Sequence, residues 1–189
     1  MKESEGNMKN NKKGFTLIEL LAAITILGIL MLVAIPAVSR TIENSRRDTF
    51  VNTAKEYVNA VRNAVLADNI SCTIGSNLIT ASATPGGSYY FVIDTTEQGT
   101  KDLMEAGGKS PFGKAEMKGV VSWEKTVTTN TTDGTAKTVT KYKIQLYDTG
   151  KHGWLTDTEE GGLTRSLVNV SLDSIPSTIT HSGNVCQLN

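Results

Sequence analysis

The sequence predicts an α+β fold in which one long N-terminal α-helix packs on a small antiparallel β-sheet head. Two observations support this. An apolar run over residues 15–38 continues into a pattern of helical period that ends near residue 67. After residue 88, segments rich in β-branched and aromatic residues alternate apolar and polar positions, as the strands of a half-buried sheet do. The 189 residues suffice for one modest domain in addition to the helix.

The first half of the predicted helix, residues 15–38, is long enough to cross a membrane. Its roughly 24 residues would extend about 36 Å, against a hydrocarbon core of about 30 Å. Lysines at positions 9, 12 and 13 precede it, so residues 1–14 are expected to stay in the cytoplasm while the rest is exported. A cleaved secretory signal is an alternative, but Ala34-Ile35-Pro36-Ala37 is a poor cleavage site. A plain signal anchor is a second alternative.

Glu19 is the one charged residue in this apolar run. A carboxylate in lipid costs about 2.5–3.5 kcal/mol on insertion scales. We therefore expect Glu19 to have a function and to need a partner that the segment itself does not supply.

The second half of the helix, residues 39–68, shows one apolar stripe that is expected to pack on the sheet. The stripe consists of Ile42, Phe50, Tyr57, Val58, Val61 and Val65. Within the first half, Gly28 lowers helix propensity by about 1 kcal/mol relative to alanine. Pro36 removes one backbone hydrogen bond and is expected to kink the helix.

Residues 69–189 are predicted to form a globular β-rich head. Turn-forming residues within 71–87 predict an irregular loop between helix and sheet, spanning about 69–88. The further predicted elements, in order, are strand 89–93, helix 98–106, strand 120–128, turn 130–134, strand 138–147 and a last short strand within 163–172. The segment Lys151-His152-Gly153-Trp154 is predicted to be a turn.

Composition restricts the possible partners. The formal net charge is zero, which does not indicate a nucleic-acid partner. Serine, threonine, asparagine and glycine dominate after residue 70, a composition suited to an exposed extracellular β domain. Cys72 and Cys186 either form a disulfide, as an external domain permits, or remain free thiols. A bond between them would be worth about 4–5 kcal/mol in the chain-entropy model.

The sequence contains no motif for catalysis. His152 and His181 are the two histidines, and neither lies in a hydrolase, zinc-protease or phosphate-loop pattern. We expect no enzymatic activity, no cofactor and no metal held by the two distant cysteines. The acidic residues Asp157, Glu159 and Glu160 lack the spacing of a calcium loop, so a solvated surface loop is favoured over a calcium site.

The N-terminal motif Lys12-Lys13-Gly14-Phe15-Thr16-Leu17-Ile18-Glu19 resembles the class III signal of type IV pilins and pseudopilins. The resemblance implies that a membrane-embedded prepilin peptidase cuts between Gly14 and Phe15 and methylates the new amine of Phe15. The leader it removes would begin at Met1 or at Met8. The resemblance also implies that Glu19 of one subunit neutralises the N-terminal amine of its neighbour during assembly. Gly28 and Pro36 match family positions between which the helix is often unwound, which implies a hinge.

The same resemblance implies a structural subunit of a type IV pilus. The chain would be anchored in the cytoplasmic membrane with its head outside, and then polymerised into an extracellular filament for adhesion, motility or surface colonisation. The implied partners are other copies of the chain, other pilins, the prepilin peptidase and the pilus assembly platform. Two alternatives stay open: a pseudopilin of a type II secretion or DNA-uptake machine, and a membrane-anchored binding domain that does not polymerise.

Two features of the head belong to the same resemblance. Ser110-Pro111-Phe112-Gly113-Lys114 is similar to a loop motif of pseudopilins and Gram-positive pilins, although a common packed turn has the same composition. Family members often pin their C-terminal segment with a disulfide, which here would join Cys72 to Cys186. The surface of the head, especially residues 70–88, 130–135 and 156–162, would then set adhesion or antigenicity.

Overall fold

The fold is taken from a computed structural model. It describes residues 14–96, 103, 109–113, 115–132, 134–150, 152–170, 179 and 182–189. The leader before Gly14 and the predicted helix 98–106, apart from Leu103, lie outside the described residues. The chain divides into two compact units between Ile42 and Glu43.

Helix α1 runs from Leu17 to Leu66, close to the predicted bounds. It ends in a Schellman motif, because Asp68 adopts a positive φ of 57° and the N–H groups of Asp68 and Asn69 donate to Val65 O and Ala64 O. Residues 28–36 are helical throughout. The hinge between Gly28 and Pro36 therefore stays a prediction about other states of the protein.

Within the described residues, seven strands form one mixed sheet. They are β1 Ile70–Ile74, β2 Asn77–Thr80, β3 Gly87–Asp94, β4 Met117–Thr129, β5 Ala136–Asp148, β6 Trp154–Glu159 and β7 Asn184–Leu188. Their spatial order is β2-β1-β7-β3-β4-β5-β6. All neighbours pair antiparallel except β3 and β7, which are parallel. Strands β3 to β6 form an antiparallel meander, and β7 returns to the middle of the sheet.

Three segments of the head differ from their prediction. The predicted loop is regular over residues 70–80, where β1 and β2 form a hairpin around the two-residue turn Gly75-Ser76, with Gly75 at φ 63°, and within 71–87 only residues 84–86 lack regular structure. Residues 154–159 form β6 rather than a turn and loop. The described part of 163–172 holds a 3₁₀ turn and an isolated bridge from Asn169 to Trp154 instead of a strand, because Leu163 and Val168 anchor this segment individually in the core.

The core lies between the second half of α1 and the inner face of the sheet. Its largest fully buried side chains include Phe50 and Tyr57 of the helix and Tyr89, Trp123 and Ile144 of the sheet. Burial raises the pKa of the Tyr57 hydroxyl. The predicted stripe is confirmed from Phe50 to Val65, whereas Ile42 is 48% exposed and does not belong to it.

Candidate functional site

The apolar side chains in the N-terminal half of α1 are exposed and are not buried against other described residues of the chain. Every large apolar residue within 15–38 is more than half exposed, and Phe15 reaches 90%. The helix is also long and apolar enough, by length and composition, to cross a membrane. Contiguous apolar surface of this extent marks a site for lipid or for another protein.

Glu19 and Thr16 form a capping box at the start of α1. The backbone N–H and the hydroxyl of Thr16 donate to Oε2 of Glu19 at 2.8 and 2.9 Å, and the N–H of Glu19 donates to Oγ1 of Thr16 at 3.3 Å. These bonds satisfy two of the N–H groups that a helix start leaves without partners. The expectation that the segment supplies no partner for Glu19 is therefore wrong, since Thr16 supplies two donors.

The two carboxylate oxygens of Glu19 differ in their contacts. Oε2 accepts both bonds from Thr16, while Oε1 has no hydrogen bond within the described part of the chain. Oε1 can therefore accept a donor from outside the chain without breaking the cap. The signal for this cap was present in the sequence, because Thr16-Leu17-Ile18-Glu19 matches the spacing of a capping box.

Gly14 and Phe15 lie just before this cap. A Cβ added at Gly14 would meet no atom within 4 Å, and Phe15 is exposed. The bond between these two residues is therefore accessible in the described structure. The roles of Gly14, Phe15 and Glu19 in processing and assembly stay predictions.

Cys72 and Cys186 form a disulfide across 114 residues of sequence. They are register partners on β1 and β7, and both are buried. The disulfide joins β1 to β7. Strand β7 pairs with both β1 and β3 in the middle of the sheet.

The loop around Ser110 packs on the helix. The Phe112 ring lies 5.9 Å from the Phe50 ring, and the Ser110 hydroxyl donates to Oδ2 of the fully buried Asp148 at 2.7 Å. The N–H of His152 donates to the other oxygen of Asp148 at 2.7 Å. These contacts give the loop a packing role within the head. Lys114 lies outside the described residues.

The acidic residues at 157–160 are matched by basic side chains. Asp157 lies 3.9 Å from Lys143, Glu159 lies 3.8 Å from Lys141, and Glu160 pairs with Arg62. The Arg62 guanidinium also lies 4.7 Å from the centre of the Tyr142 ring. Within the described residues, histidine, cysteine and acidic side chains form no group of three or more that could hold a metal. His181 lies outside these residues.

One comparison with known proteins matches the same N-terminal region. Residues 9–35 match the prokaryotic N-terminal methylation motif. The chain is 36% identical over 99 residues to the type IV major fimbrial protein FimA of Dichelobacter nodosus. The matched region is 49% of this chain and 61% of that relative, so the chain spans about three fifths of the relative's length. No solved structure matches at a significant level.

Proposed function

We propose that this chain is a structural subunit of a type IV pilus, a proposal that the methylation motif and the similarity to a fimbrial protein support. The observation that carries the proposal is the juxtaposition at the start of α1. The methylation motif over residues 9–35 contains a capped glutamate, Glu19, whose Oε1 accepts no hydrogen bond within the described residues, on a helix whose apolar side chains are exposed over its N-terminal half.

Processing comes first in the proposed sequence of events. A prepilin peptidase cuts after Gly14 and methylates the amine of Phe15. Residues 15–38 hold the precursor in the cytoplasmic membrane with the head outside. The accessible Gly14-Phe15 bond supports this order.

Assembly then buries the apolar surface. The exposed helices of several copies pack together, and Oε1 of Glu19 pairs with the Phe15 amine of a neighbour. Pairing offsets the free-energy cost of burying two charges, each of which is costly alone in an apolar environment. It also fixes the axial register, because a slip of one residue would separate the two groups. The function is assembly rather than catalysis, and the partners are other copies, other pilins, the peptidase and the assembly platform.

The first experiment is intact mass and N-terminal sequencing of protein sheared from the cell surface. A chain that begins at Phe15, carries one added methyl group and lacks two hydrogens at Cys72 and Cys186 supports processing, export and the disulfide together. A chain that still begins at Met1 or Met8 and occurs only in membranes would overturn the proposal.

Glu19→Ala separates a pilin from an anchored domain that does not polymerise. The proposal expects normal precursor levels and a loss of surface filaments. Glu43→Ala is a matched control, because Glu43 is an exposed glutamate on the same helix, paired with Arg47. Filaments that persist in Glu19→Ala would contradict the proposed role of this carboxylate.

The name of the fimbrial relative favours a pilus over the fibre of a secretion or DNA-uptake machine. Deletion of the chain distinguishes the two. Loss of visible surface filaments with intact secretion and transformation supports the pilus, and the reverse pattern supports the pseudopilin alternative.

A further inference from the structure

The outer face of the sheet, which faces away from α1, holds a shallow groove of about 150 Å³. Side chains alternate between the two faces of a strand. Because Tyr89 and Trp123 point into the core, Ser88 of β3 and Ser122 of β4 point outward. Their short side chains form the low centre of the groove. Lys143 and Gln145 of β5 and Asp157 of β6 form its higher wall.

The polar side chains of this groove make no hydrogen bond with one another within the described residues, although Lys143 and Asp157 form an ion pair. The side chains of Ser88, Ser122 and Gln145 make no hydrogen bond with the described residues. Lys143 and Asp157 are 3.9 Å apart, beyond hydrogen-bond distance, so the ammonium and the carboxylate both keep their hydrogen-bonding capacity. The donors and acceptors that line the groove therefore have no hydrogen-bond partner within the described part of the chain.

Two further grooves among the described residues of the head each contain an arginine that is already hydrogen-bonded. In the groove beside Tyr142, Arg62 is hydrogen-bonded to Glu160 and Asn59. In the groove beside Leu167, Arg47 donates to Glu43 and to the carbonyl of Val168. Apart from the Nε of Arg47, the guanidinium groups of these two grooves already have hydrogen-bond partners, whereas no hydrogen bond within the described residues joins the polar side chains around Ser122.

Its charge balance restricts the ligand. Two lysines, Lys141 and Lys143, and two carboxylates, Glu124 and Asp157, line it, and Glu124 is the register partner of Lys141. An anionic ligand would meet the carboxylates and a cationic ligand would meet the lysines, each at an electrostatic cost. A neutral ligand with several hydroxyl groups can donate to the carboxylates, accept from the lysines and bond to the serines at once.

We propose that this groove binds a neutral saccharide, with one sugar ring over Ser88 and Ser122 and its hydroxyls bonded to Lys143, Gln145 and Asp157. The volume equals about five water molecules, which suits a single ring displacing ordered water. A shallow polar site predicts a Kd of about 1 mM for one sugar unit. Repetition of the site along a polymer would raise the avidity for a glycan surface. Binding of a sugar by one copy does not depend on filament assembly, whereas the gain in avidity rests on the proposed function.

The test uses the full chain in micelles of a detergent without a sugar headgroup. Methyl glycosides of glucose, galactose, mannose and N-acetylglucosamine are titrated separately, with saturation-transfer NMR as the readout. Binding by at least one glycoside that saturates near the expected Kd supports the proposal. Absence of binding by all four overturns it, and so does displacement of a bound glycoside by inorganic phosphate, which would indicate an anion site.

Variants locate the binding. Ser122→Leu fills the centre of the groove and is expected to weaken binding about tenfold or more. Thr128→Leu is the matched control, because Thr128 lies on the same strand and face but is exposed beyond the groove. Lys143→Met removes a donor while keeping the length of the side chain, and is expected to weaken binding about fivefold. Binding that survives both Ser122→Leu and Lys143→Met overturns the proposal, and thermal melts of each variant identify any loss of folding.

Discussion

The two compact units differ in how far they bury their apolar side chains: those of residues 15–42 are exposed, and those of residues 43–189 form a core. Ile29 in the first unit is 67% exposed, whereas Ile144 in the second is fully buried. Burying such a side chain is worth about 1.5–3 kcal/mol. The second unit obtains this stabilisation within its own chain, while the first can obtain it only from lipid or from other molecules. The comparison teaches that the fold of the head is complete in one copy, but the N-terminal segment is not.

The largest effect is expected when the disulfide within the head is removed. Replacing Cys72 and Cys186 together by serine is expected to lower the free energy of unfolding by about 4–5 kcal/mol, because the bond spans 114 residues. Denaturant unfolding followed by tryptophan fluorescence measures it, since Trp123 and Trp154 both lie in the head. A loss below about 1 kcal/mol would mean that packing alone holds β7 in place.

The next prediction makes the same substitution, isoleucine to alanine, once in each region. Ile144→Ala is expected to lower the free energy of unfolding of the head by about 2–5 kcal/mol, because it leaves a cavity in the core. Ile29→Ala is its matched control and should change this quantity by less than about 0.5 kcal/mol. Equal effects of the two substitutions in chemical denaturation would contradict the division into self-sufficient and dependent regions.

A smaller effect is expected from removing the capping box at the start of α1. Thr16→Val removes the hydroxyl of the capping box and is expected to destabilise the first helical turn by about 1 kcal/mol. Amide hydrogen exchange of residues 17–20 in micelles measures it. Thr16→Ser restores the hydroxyl and should exchange as the wild type does. The stability of the head should not change in either variant.

The smallest effect is electrostatic and lies in the head. Burial raises the pKa of Asp94, but hydrogen bonds from Lys118 and Thr96 and the charge of Lys118 outweigh it, so the pKa is lowered overall. The ion pair therefore stabilises the fold above the unfolded-state pKa of about 3.9, and its contribution is lost as the pH falls through the folded-state value.

Asp94→Asn should accordingly cost less than about 1 kcal/mol at neutral pH, and the difference from the wild type should shrink in acid. Urea unfolding at a series of pH values measures this difference. Asp157→Asn, which alters the looser 3.9 Å contact with Lys143, serves as the comparison. A difference that grows in acid would contradict the assigned sign.

Local patterns in the sequence were sufficient for the helix and for three strands of the meander. Periodicity gave the bounds of α1 within two residues at each end, and alternation located β3, β4 and β5. The β1–β2 hairpin was missed although its signal, Gly75-Ser76 between β-branched segments, is local. The turn-forming composition of the longer stretch outweighed this short signal.

Features that depend on pairing between distant strands could not be predicted. The five residues of β7 carry little pattern of their own, and their place between β1 and β3 depends on partners about 100 residues away in the sequence. The groove at Ser122 depends in the same way on the register of β3, β4 and β5, which sets short side chains beside long ones. At the N-terminus, by contrast, the Thr16–Glu19 cap was readable from spacing alone.

The position of β7 has a consequence for synthesis. Of the seven strands it leaves the ribosome last, yet it lies between two strands that leave much earlier. Until residues 184–188 arrive, the β1–β2 hairpin and the β3–β6 meander have no ladder of backbone hydrogen bonds to join them. A chain interrupted before residue 184 would thus present two open sheet edges to proteases and to other unfinished chains. The order of strands makes the synthesis of residues 184–188 a condition for a continuous sheet.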